Sequence, residues 1–171
     1  ILKEINMHSP VIVKFSITCG DDNLSKIIEP NVCVSSKRFE AINKLREYGI
    51  YTGVLMMPIL PFINDTKDNI DKIINQAYKS RANFIYPMFG VTLRSNQRFY
   101  YYTKLRENFP NLVSKYQNLY GNKYVCNSPN YKSLQAYFEK KCSKLGITYK
   151  MEDIISEYKS KFKSEQISFD L

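Results

Sequence analysis

Three short runs of β-branched and apolar residues recur along the chain: VIVKFSI from residue 11, IYTGVLMM from residue 50 and FIYPMF from residue 84. A run that is apolar at successive positions suits a strand covered on both faces. Between the runs, apolar residues repeat at helical spacing. Phe39, Ile42 and Leu45 form one stripe; Ile70, Ile73, Ile74, Ala77 and Tyr78 form the next. Strands of this kind, alternating with amphipathic helices, form parallel sheets through right-handed crossovers. The order predicts an α/β fold with three parallel strands. Three such units cannot close an eight-stranded barrel, so the expected architecture is a partial (half) β/α barrel.

The punctuation agrees with this order. Asp21 and Asp22 open a short helical turn that Pro30 stops, Ser35 or Ser36 can cap the next helix, and Gly49 ends it. Pro58 follows the second strand and has no N–H to give a ladder, so pairing is expected to end there. Asn64, Asp65 and Thr66 offer caps for the following helix. The third run passes through a loop, GVTLRSN, to a helix whose stripe is Phe99, Tyr102 and Leu105. Beyond Asn108 no further strong strand is evident. Segments 112–120, 134–145 and 154–162 read as helices, with a turn at Ser128-Pro129-Asn130. The expected organisation is a half barrel over residues 1–110 and a helical C-terminal extension packed on it over residues 111–171. Residues 1–7 read as the last turns of a helix.

No apolar run is long enough to cross a membrane, and no membrane partner is expected. Cys19, Cys33, Cys126 and Cys142 match no metal or disulfide spacing, so they read as reduced thiols of a cytoplasmic protein without a metal site. The net charge of +9 raises nucleic acid as a partner, yet the lysines are dispersed, and the densest basic stretch, 158–163, suits a solvated helix face. A helix cannot bury Tyr100, Tyr101 and Tyr102 together. Tyr102 is expected in the core with the other two at its rim, or stacked on bases in a nucleic-acid site. The one histidine, His8, falls before the first strand, on an expected loop. HExxH, GxSxG and GxxxxGK[ST] are all missing, and no catalytic residue is assigned.

Parallel sheets bind ligands beyond the carboxyl ends of their strands. That rule selects 16–22, 57–66 and 87–95. Ser16 and Thr18 bring hydroxyls suited to a diol, though ordinary strand-end hydrogen bonding is the simpler account of them. Met57 and Pro58 offer an apolar shelf for a flat base. Arg94 and Arg98 could meet an anion.

Several motifs in order carry a family resemblance: VKFSIT, DDNLSKIIEP, SSKRFEAINKLREYGI and MMPILPFIND, then NSPNYKSLQAYFEKKCSKLGI, YKMEDIISEY and QISF. Together they resemble the C-terminal half of radical S-adenosylmethionine proteins related to spore photoproduct lyase (DNA repair photolyase-like). The resemblance implies a parent that binds S-adenosylmethionine and a [4Fe–4S] cluster held by CxxxCxxC. That motif does not occur here. The chain is therefore expected to be a C-terminal fragment, inactive alone, with no cofactor stably bound. The resemblance implies cofactor-binding roles for Ser16, for Arg38 with Lys37 beside it, and for Met57 and Pro58. Arg38 would meet the cofactor carboxylate, or pair with Glu29, or both. Glu29, Pro30, Pro61, Asn64 and Asp65 would form a structural motif, and Arg94 would face substrate. DNA-lesion repair is the family-level expectation for the parent. The alternative is a non-catalytic basic α/β module that binds nucleic acid. A half barrel also leaves its first strand open from Val11 to Ser16, where self-association is expected.

Overall fold

A computed structural model describes residues 1–160. The QISF motif and the basic end of the last helix lie outside the described residues. Helix α1 (Leu2–His8) leads into β1 (Ile12–Ser16), α2 (Asp22–Ile28), α3 (Ser35–Glu47), β2 (Tyr51–Met56), α4 (Lys67–Lys79) and β3 (Phe84–Pro87). His8 closes α1 and is exposed, not on a loop. The strands form one parallel sheet in the order β1-β2-β3, with Ser16 level with Leu55, and Leu55 level with Tyr86. This is the α/β arrangement that the apolar runs predict. The described residues close no barrel.

The second half departs from the expected all-helical tail. The presumed loop after β3 contains β4 (Gly90–Thr92), followed by α5 (Ser95–Asn108), a 3-10 turn (Pro110–Leu112) and α6 (Val113–Tyr120). A further strand, β5 (Val125–Asn127), then pairs antiparallel with β4. Both are three residues long, too short to show a period in the sequence. Helices α7 (Tyr131–Leu145) and α8 (Met151–Ser160) complete the described residues. Between them Thr148 bridges to Phe84 in parallel, and its carbonyl accepts the Ile85 N–H at 2.9 Å.

Alternation along the strands divides the apolar residues between two faces. Val54, Met56 and Ile85 lie against Ile42 of α3, Ile70, Ile73 and Ile74 of α4, and Phe138 and Cys142 of α7. Each such isoleucine contributes about 2 kcal/mol by leaving water. Residues before and after position 110 thus share one core. A second cluster gathers Leu60, Val91, Leu93, Leu105, Tyr116, Tyr120 and Cys126 around the small antiparallel pair. Two side chains fall off their expected stripes. Tyr78 is exposed at the end of α4, and Phe99 is 81% exposed, while Tyr101 turns inward and donates to the Tyr116 hydroxyl at 2.9 Å. Tyr101 and Tyr102 both pack against this cluster, but Tyr101 alone of the two is hydrogen-bonded into it among the described residues, and burial pushes its phenol up to about 12.

The opposite face of the parallel sheet carries Tyr51 and Phe84, whose rings stack at 5.4 Å, with Ile154 of α8 against them. Glu157 of α8 accepts from the Tyr51 hydroxyl at 2.6 Å. Gly53 makes this stack geometrically possible, because a Cβ there would stand 2.5 Å from the Phe84 ring.

Neither Ser35 nor Ser36 caps α3 through its own side chain. Asp22, from the preceding helix, accepts from the Ser36 N–H at 3.0 Å and hydroxyl at 2.6 Å. A carboxylate at a helix start is favoured by the unsatisfied N–H groups there. These bonds, from the hydroxyl first, hold the Asp22 carboxyl below its usual value of 3.8.

Two outcomes follow from this packing. Gly53→Ala is expected to destabilise the fold by about 1–3 kcal/mol through overpacking, read from urea unfolding. Asp22→Ala is expected to cost about 1 kcal/mol at neutral pH, as losing a helix cap does. The folded-state value is depressed, so the contribution is present above pH 3.8 and lost as the pH falls through the lower folded value. The difference between wild type and variant should therefore shrink in acid.

Candidate functional site

The carboxyl ends of β1 and β2 are tied together by side-chain amides. Thr18 is buried, and its carbonyl accepts from Asn64 Nδ2 and Asn69 Nδ2, each at 2.9 Å. Asn64 Oδ1 accepts the Leu60 N–H, and Asn69 Oδ1 accepts the Gly20 N–H at 2.8 Å. Thr66, not Asn64 or Asp65, caps α4, accepting from the Asn69 N–H at 3.1 Å. Asp65 closes its own turn by accepting from Phe62 N–H at 2.7 Å and reaches across to the Ser128 hydroxyl at 2.5 Å. Burial raises the Asp65 carboxyl above its usual value, against the pull of those donors.

The β2–β3 ladder ends at Met56 and Pro87, just before Pro58, as the proline predicts. The Met57–Pro58 peptide bond is cis. The Met88 N–H donates to Met56 at 3.1 Å, and the Ile59 N–H donates to Met88 at 3.0 Å, so the contact resumes one residue beyond the proline. Ile59, Leu60 and Pro61 are then buried. Past the half-buried Met57 and Pro58 the segment turns inward, and Asn64 satisfies the Leu60 N–H from within.

Arg38 sits at the end of β1 as a clamp. Its Nη1 donates to the Ser16 carbonyl at 2.6 Å and to Glu29 at 2.9 and 3.1 Å, while its Nε donates to the Cys33 carbonyl at 2.7 Å. The guanidinium fork suits this because its donors diverge in one plane. Glu29 neutralises the charge, and Nη2 keeps its donors without a partner among the described residues. Lys37 points elsewhere and pairs with Glu40 at 2.8 Å. Pro30 lies exposed in the loop that Arg38 holds.

The register brings Ser16, Leu55 and Tyr86 into one row across the face opposite the main core, with Met57 just past the end of β2. Ser16 is exposed, while Leu55, Met57, Pro58 and Tyr86 are half-buried. The Ser16 hydroxyl has no partner among the described residues. Ser16 and Arg38 are thus brought into contact, but through a backbone carbonyl. Arg94 stands apart, at the start of α5 beside the small antiparallel pair, where it holds the exposed Tyr124 phenol below its usual value. Arg98 secures the turn before β5 by donating to Asn122 and Lys123 carbonyls at 2.7 and 3.1 Å. No anion is needed to explain it.

Metal-ligating chemistry has no focus among the described residues, where no group of three His, Cys, Asp or Glu side chains converges. Cys19, Cys126 and Cys142 are buried, and burial pushes each thiol up, Cys142 to about 12. Cys33 is exposed in the loop after α2. A groove of about 480 Å³ opens between α2, the segment after β2 and α5. Ser16, Lys37, Arg38, Met57 and Pro58 do not line it. No described helix is long and apolar enough to cross a membrane.

Replacing Arg38 by Lys is expected to free the 29–34 loop, since one ammonium cannot serve Ser16, Glu29 and Cys33 in that fork. Limited proteolysis should cut the variant in this loop faster than wild type, with little change elsewhere.

No family model matches the chain, and no solved structure matches it. It is similar to an uncharacterized protein of Mycobacterium bovis and to uncharacterized proteins of two Mycobacterium tuberculosis strains. Each is 28% identical over 120 residues, which is 70% of this chain and 35% of the relative. The chain spans about a third of the length of the curated relatives it matches.

Proposed function

We propose that the chain forms one side of the cofactor cavity of a radical S-adenosylmethionine enzyme related to spore photoproduct lyase, as part of a half β/α barrel. The observation that carries this reading is the row Ser16, Leu55, Tyr86, with Met57 beside it, on the open face of a parallel sheet at its strand ends. Ligands of α/β proteins sit at such ends. The ordered motifs from VKFSIT to MMPILPFIND support the same reading.

The residues present fit part of S-adenosylmethionine. An exposed, unpartnered Ser16 hydroxyl can bond to a ribose diol, and the apolar flank of Leu55, Met57 and Pro58 can cover a purine face. Arg38 fits a carboxylate only through Nη2, because Glu29 already balances its charge. Its main task is to position the Ser16 carbonyl and the 29–34 loop. When bound, S-adenosylmethionine supplies a carbon-centred radical for abstraction of a hydrogen atom from substrate. The described cysteines do not fit a [4Fe–4S] cluster: three are buried thiols and the fourth is alone on its loop. Under this reading the cluster is held by another part of the longer protein, and this chain's residues orient the adenosyl group and keep water from one side of it.

The basic-module alternative has weaker support. Lys37, Lys72, Lys104 and Lys141 each face a carboxylate within 3.1 Å, so these four lysines are not free to meet phosphates.

The test begins with the encoding gene. An in-frame CxxxCxxC upstream of Ile1 is expected. The longer product, reconstituted anaerobically, should then release 5′-deoxyadenosine, while the 171-residue chain alone releases none. Ser16→Ala in the longer product should raise the apparent Kd for S-adenosylmethionine about three- to tenfold, the loss of one or two hydrogen bonds. A longer product that carries no such motif, or whose affinity ignores Ser16, would falsify the assignment.

A further inference from the structure

The second apolar cluster is not closed. Where α2 and α5 part, it opens onto the groove described above, whose volume of about 480 Å³ is that of a small-molecule site. Leu60, Leu105 and Phe109 form its inner wall. Ile27 and Tyr100 stand at its mouth, 47% and 63% exposed. α2 turns Ile28 into the cluster and leaves its neighbour Ile27 without apolar cover.

Two ammonium groups flank this opening. Lys104 lies over the Tyr100 ring at 5.8 Å and pairs with Glu107 at 2.7 Å. Lys26 also lines the groove and makes no ion pair among the described residues. Asp22, one turn earlier on α2, is hydrogen-bonded by Ser36 and feels the Lys26 charge, but it does not line the groove. The lining therefore combines an apolar wall with one surplus positive charge: two lysines against one glutamate.

We infer that this groove binds a small amphipathic anion, an apolar body that ends in a carboxylate. The body takes Ile27 and Tyr100 out of water against the wall that Leu105 forms, worth about 25 cal/mol for each Å² covered. The carboxylate stays at the rim, where Lys26 meets it and where its own hydration is kept in part. A cation of the same shape finds like charge there, and a neutral analogue gains only the apolar contact. The site is separate from the Ser16–Leu55–Tyr86 row, which contributes no residue to it, so it does not depend on the proposed function.

The test uses the intact chain with 8-anilino-1-naphthalenesulfonate as a fluorescent probe, decanoate as competitor, and decylammonium and a single-stranded oligonucleotide as controls. One saturable probe site is expected, displaced by decanoate and at least about fivefold less readily by decylammonium. Ile27→Asp should weaken the probe about tenfold or more, with an unchanged circular dichroism spectrum because Ile27 lies at the surface. Lys26→Ala should weaken decanoate about two- to fivefold, as loss of an exposed ion contact does. No saturable site, a site indifferent to Ile27→Asp, or equal displacement by decylammonium overturns the inference. Displacement by the oligonucleotide as effective as by decanoate overturns it in favour of a nucleic-acid strand. A longer gene product that no longer takes up the probe overturns it too, by showing that the protein's own segments fill the groove.

Discussion

The Thr18 carbonyl is buried in a region where an unpaired acceptor would cost on the order of 1–3 kcal/mol. Two asparagines from the next βα unit answer it. That one acceptor fixes how the ends of β1 and β2 sit relative to α4. Asn64 and Asn69 each use their other amide atom on a backbone N–H, so the network has few loose ends. Gln76, one turn and more along α4, completes it by donating to the Gly20 carbonyl at 2.8 Å. A polar lattice of this kind is stiff because each member is held by the others. It explains why Leu60 can turn inward and become part of the second cluster.

Stiffness at the strand ends bears on both surfaces discussed above. On one side it presents the exposed Ser16 with a backbone held by Arg38, and on the other it forms the inner wall of the groove through Leu60 and Ile63. The two surfaces share a scaffold but no side chain. A perturbation of Asn64 would reach both; one at Ile27 would reach only the groove.

Much of the parallel layer was legible. Strands apolar at successive positions, with helical stripes such as Ile70, Ile73 and Ile74 between them, admit few other arrangements. What escaped was decided by contacts distant in sequence. Ser35 and Ser36 look like caps, yet the carboxylate that serves α3 comes from Asp22 on another helix. β4 and β5 stabilise each other across more than 30 residues and carry no internal pattern. Pro58 reads as a stop and the ladder does end before it, but Ile59 then returns to the Met88 carbonyl just past β3 through a backbone bond that composition does not reveal. For the candidate site, Glu29 and Arg38 could be matched by charge alone, whereas the third donor contact, to the Ser16 carbonyl, needed the fold. Tyr101 and Tyr102 could not be ranked, since adjacent helical positions differ only by what packs against them.

The two borders of the parallel sheet are chemically unequal. On β3 the outward amides are those of Ile85, already given to Thr148, and of Pro87, which has none. On β1, alternation sends the groups of Ile12 and Lys14 outward, and no described strand meets them. The sheet can therefore grow in one direction only, beside β1. Lys14 there favours a neighbour that brings a negative side chain and discourages indiscriminate stacking of like copies.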